Sequence, residues 1–109
     1  MIMKFVTIGY GDQAGYDGTE TALLHAAHAH DARLRDGGAV MGIAGEPVQV
    51  RNHQNTGTTT RSGAFLGSDL PLAGFALIEA PTLADAIEMV SHSPCAIANG
   101  VVEVWPLND

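Results

Sequence analysis

The run GFALI at residues 74–78, set inside the longer stretch GAFLGSDLPLAGFALIEA at 63–80, is the feature that most constrains this chain. It has the length of a strand and not of a helix. Its uninterrupted apolar character predicts a central strand buried on both faces. The rest of the chain divides around it into two halves of one small domain.

In the first half, residues 2–10 alternate and are rich in β-formers, which predicts a strand. Residues 11–15 read as a loop. Asp17, Gly18 or Thr19 is positioned to cap a helix from about Glu20 to Asp36, which Gly37 and Gly38 stop. Residues 40–44 form a short strand ended by Gly45 and Pro47. Residues 48–53 and 58–62 form a hairpin around Asn55, Thr56 and Gly57. In the second half, Thr82 caps a helix with Asp85 in its first turn and Leu83, Ala86, Ile87 and Val90 on one face. Ser93 and Pro94 end that helix. Residues 101–105 form the last strand, which Pro106 terminates. The order β-α-β-hairpin-β-α-β predicts an α+β fold: a ferredoxin-like two-layer sandwich, one antiparallel sheet with two helices on one face, as a single domain over residues 1–109.

A chain of 109 residues buries roughly 65% of its unfolded surface, enough for one core without staples. Only 16% of its residues are charged, against a usual figure of about 25%, so some apolar surface stays outside that core. The uncovered sheet face is the natural place for it. We therefore expect a homodimer through the open sheet face, closing a dimeric α+β barrel. The net charge is −7, and the bases Lys4, Arg33, Arg35, Arg51 and Arg61 are scattered. That pattern offers no track for phosphates, which argues against nucleic acid and against an anionic membrane as partners. Cys95 is the single cysteine, so an intrachain disulfide framework and a CxxC metal site are excluded and a cytoplasmic protein is expected. The first residues read as a strand and not a signal, and no stretch approaches the roughly 20 apolar residues of a membrane span.

Several segments resemble the DGPF-type branch of the YciI-like (YCII-related) family of small dimeric α+β barrel proteins. They are LRDGGAV at 34–40, VQVRNHQNTGTTTRSGAF at 48–65, GFALIEAPTLADAIE at 74–88 and SPCAIANGVVEVWPL at 93–107. Together they cover most of the chain. Where the family signature has Asp-Gly-Pro-Phe, this chain has Ser62, Gly63, Ala64 and Phe65. Where an Arg precedes the final Pro, it has Trp105. The resemblance implies the barrel fold, dimerisation and, from some relatives, cofactor-free chemistry on small aromatic compounds.

Candidate chemistry gathers on the first long helix. On a wheel of about 100° per residue, Leu23, Leu24, Ala27 and Leu34 define an apolar face, with Asp31 in its middle, His30 at its edge and His28 on its shoulder. A carboxylate on a sheet-facing stripe is costly unless paired or solvated in a cleft. Asp31 with His28 or His30 therefore reads as an acid–base pair in a pocket between helix and sheet. The alternative is a solvated edge position or a pair with Arg35, four residues on. The signature turn puts Ser62 near the mouth of that pocket as a fourth candidate, although no GxSxG elbow surrounds it and a turn role explains it equally.

The HAAHAH spacing would let His25 and His28 share an ion with Asp31, but nothing elsewhere completes a shell, so no metal is expected. Gly9, Gly11 and Gly15 lack the GxGxxG spacing, so no cofactor is expected. His53 and His92 read as isolated solvated residues, Cys95 as an inert thiol, and Trp105 as core or interface. Two functions follow: a cofactor-independent protein that binds or transforms a small organic molecule, or a non-catalytic binding and assembly module with a degenerate site.

Overall fold

The computed structural model describes residues 2–108. It contains β1 (Met3–Tyr10), α1 (Gln13–Asp17), α2 (Thr21–Asp36), β2 (Val40–Ile43), β3 (Val48–Arg51), β4 (Thr59–Ser62), β5 (Leu72–Ala80), α3 (Leu83–Ser91), α4 (Pro94–Ile97) and β6 (Val101–Leu107). Four strands form one antiparallel sheet in the order β2-β5-β1-β6, while β3 and β4 form a separate two-stranded sheet. β1 and β2 thus run parallel to one another with β5 between them, a split β-α-β unit.

Local chemistry explains the elements. Thr82 accepts a hydrogen bond from the Asp85 amide at 3.1 Å and starts α3. Gly37 closes α2, and Gly38, at φ +110°, takes the chain out of it. The cap of α2 is Glu20 and not Thr19, whose hydroxyl turns back to donate to the Gly15 carbonyl at 2.7 Å. Two short helices stand where loops were expected. Asp12 accepts from the Gly15 amide at 2.8 Å and starts α1. Pro94 does more than end α3, because it occupies the first turn of α4, where its missing N–H costs nothing. Pro106 lies within β6 and does not terminate it. β6 is an edge strand, which tolerates a residue that cannot donate to a ladder.

The helices lie over one face of the sheet only. Phe5 and Ile78 are directly opposite each other on that face and are packed with Ala80, Ala86 and Val90 into the core under α3. β5 is therefore not buried on both faces. Phe75 remains 48% exposed and Leu77 39% exposed, because their side chains point to the face that no helix covers. One row across that face reads Val40, Leu77, Val6, Trp105, a line of apolar side chains spanning all four strands. Trp105 belongs to this row, 54% exposed, and not to the core of the chain.

Candidate functional site

The strands leave a hollow beneath α2. The paired positions on the helix-facing side shrink along β1 and β5, from Phe5 opposite Ile78 to Thr7 opposite Ala76 and then Gly9 opposite Gly74. The two glycines are held small by their surroundings. A methyl on Gly74 would stand 2.5 Å from the backbone oxygen of Gly42, and one on Gly9 would stand 2.9 Å from Cys95 Sγ. With only small side chains rising from this floor, a cavity of about 290 Å³ opens between sheet and helix. Thr7, Gly9, Gly74 and Ala76 form its base. His28, Asp31, Leu34 and Arg35 of α2 hang over it, and Tyr16, Met41, Pro94 and Cys95 close its sides.

α2 turns Leu24, Ala27, Asp31 and Leu34, one stripe at helical spacing, away from solvent, and of these Asp31 and Leu34 line the hollow. Leu23, expected on the same face, is turned to solvent. Asp31 is half-buried, and burial pushes its carboxyl above the ordinary value of 3.8; His30, His28 and Arg35 pull it back without cancelling the rise. Among the described residues the only basic side chain within 4.0 Å of a carboxylate is His92, 3.0 Å from Glu88, so Arg35 forms no ion pair with Asp31. His28 shares the cleft wall with Tyr16, whose ring stacks on it with centroids 6.4 Å apart and planes 25° from parallel.

The other two candidates lie elsewhere. The His30 ring nitrogen Nε2 makes a short hydrogen bond to the carbonyl of Met89 in α3. A carbonyl only accepts, so Nε2 carries the proton and donates it. The His30 ring also meets the His92 ring edge-on, with centroids 5.5 Å apart. His30 thus joins α2 to α3 and does not line the cleft. Ser62 is exposed on β4 opposite Val48, in the separate hairpin, and it too is outside the cavity. His53 is exposed in the hairpin turn, and His25 is exposed on α2. Among the described residues no group of three or more His, Cys, Asp or Glu side chains could hold a metal ion.

Sequence reasoning missed Tyr16 and Cys95 as parts of the site. Tyr16 was hidden because a helix of five residues is too short to show periodicity. Its position is fixed at long range, through Asn99 Nδ2, which donates to the Gly15 carbonyl at 3.2 Å and to Thr19 Oγ1 at 3.3 Å. Cys95 sits in α4 with its sulfur over Gly9. Burial raises its thiol above the usual value, and Asp31 raises it further. Tyr16 is likewise raised, by burial first and then by Cys95 and Asp31. The three groups thus sense one another across a shared, poorly solvated space, and the thiol is poorly suited to act as a nucleophile. Comparison of the chain with family models and with curated proteins gives no match.

Proposed function

We propose that the protein binds and transforms a small organic molecule, without a cofactor, in the cleft between α2 and the sheet. The observation that carries this reading is a half-buried carboxyl, Asp31, raised by desolvation over a floor of paired glycines. Such a group holds its proton more firmly than a solvated carboxyl does, which suits it to give and take one. The cleft lining is mostly apolar, so the ligand it suits is small, largely uncharged and possessed of one proton to exchange. His28, on the solvent side of the same helix, passes that proton outward. The resemblance to the YciI-like family points the same way.

The test combines binding with turnover. Compounds that raise the melting temperature of the native protein should lose that effect in Ala76→Leu, whose side chain rises into the cavity. Asp31→Asn should keep much of the binding and lose about a hundredfold or more in turnover. Equal binding in Ala76→Leu would remove the cleft from consideration.

A second reading, a non-catalytic binding and assembly module, is favoured by one observation. The position where the family signature carries its acid is Ser62 here, and Ser62 stands outside the cavity. Binding without turnover for every ligand of the cleft would decide for it.

The reading includes a ferredoxin-like subunit that pairs through its bare sheet face into a dimeric α+β barrel. It is supported by the strand order and by the exposed row of Val40, Leu77, Val6 and Trp105. Trp105→Asp should convert the dimer to monomers in sedimentation equilibrium. A cytoplasmic location belongs to the same reading; among the described residues no helix is long and apolar enough to cross a membrane.

A further inference from the structure

The β3–β4 hairpin has no place in either function above. It pairs with no strand of the main sheet. The molecule measures 53 × 39 × 21 Å, and its radius of gyration is 15.9 Å where about 13 Å is expected for a compact chain of this length. A two-stranded hairpin alone is marginally stable in water. This one nonetheless shows apolar side chains to solvent on one face, Val48 at 62% and Val50 at 65% exposed. Its other face carries Arg51 and Arg61, with Arg51 lying over the Phe65 ring at 5.9 Å.

We infer that this hairpin is an arm that packs its valine face against a second copy of the chain, drawn to that copy's acidic body by the net positive charge of Arg51 and Arg61. The inference rests on the pairing through the bare sheet face proposed above, and two arguments choose a second copy as the occupant. The first is charge. Residues 47–63 contain Arg51 and Arg61 and no carboxylate, whereas all 12 acidic residues lie in the rest of the chain, against only Lys4, Arg33 and Arg35. A basic arm and an acidic body are complementary between copies. The second is continuity. The arm leaves from β2, an edge strand of the bare face, only five residues after Ile43, and so prolongs the surface through which the pairing proposed above would run.

The experiment measures the dimer dissociation constant of the full chain by sedimentation at several salt concentrations. The double variant Val48→Ser/Val50→Ser should weaken the dimer by about tenfold or more, with an unchanged far-ultraviolet circular dichroism spectrum. Arg51→Glu/Arg61→Glu should weaken it as well, most at low salt. In a mixture of isotopically light and heavy chains, a photo-crosslinking benzoylphenylalanine at position 50 should capture peptides of the other chain. A dimer of unchanged strength in both double variants, or capture confined to the arm's own chain, overturns the arm while leaving the sheet-face dimer standing. A native protein that is monomeric at 100 µM overturns the pairing through the sheet, and the arm with it.

Discussion

Two helices cover the same sheet, and they cover it differently. α3 touches β5 and β6 directly and rests on the opposed pair Phe5 and Ile78, both almost fully buried. α2 spans 16 residues, and only Ala27 among them is fully buried. Its close backbone neighbour is α4, and the His30 hydrogen bond ties it to α3. The difference originates in β1 and β5, which present a large pair under one helix and a glycine pair under the other. One sheet can therefore serve as a packed core at one end and as the floor of a cavity at the other. The amount of side chain in the floor decides which.

The contrast is broken most severely at the packed end. Phe5→Ala removes a fully buried ring and should destabilise the fold by about 3–5 kcal/mol in urea titration. At the hollow end, Gly9→Ala puts a methyl against Cys95 Sγ and should cost about 1–2 kcal/mol. Adding Cys95→Ala should recover most of that loss, and a double-mutant cycle without coupling would show that the thiol is not what limits the floor. His30→Ala removes one half-buried hydrogen bond, a loss of about 1 kcal/mol. Its more telling sign is faster amide exchange in α2 with α3 unchanged.

The smallest effect is that of Asp31→Asn on stability against pH. The folded carboxyl titrates above the unfolded value of 3.8, so the native state holds its proton longer than the unfolded state. Its contribution is fully present below pH 3.8 and is lost as pH rises through the folded value. The variant should match the native protein in acid and become slightly the more stable toward neutral pH. A variant that instead becomes the less stable toward neutral pH would mean that Asp31 is held ionised by a favourable partner.

Much of this was legible in the residues. The strand and helix order followed from periodicity and from Thr82, Gly37 and Gly38, because capping and glycine signals act locally. Asp31 stood out because a charge on an apolar stripe is visible at helical spacing. The hollow did not show, because it depends on Gly9 and Gly74 being opposite one another across a ladder, and register is not written in either strand alone. Tyr16 and Cys95 were missed for a related reason, since helices of one turn leave no pattern to read. His28 and His30 lie about 200° apart on the wheel, on opposite shoulders of the stripe, and the wheel does not say which shoulder meets a neighbouring helix. The neighbouring helix separated them by offering the Met89 carbonyl to one and leaving the other beside the cleft. The uniform apolar look of residues 74–78 misled about burial, since a strand whose second face meets no helix in its own chain reads the same as one enclosed on both sides.

His30 has a consequence beyond the joint it makes. The turn of α2 that it clasps to α3 is the same turn that carries His28 and Asp31 over the hollow. Clasp and lining share one stretch of backbone, so loosening the first displaces the second.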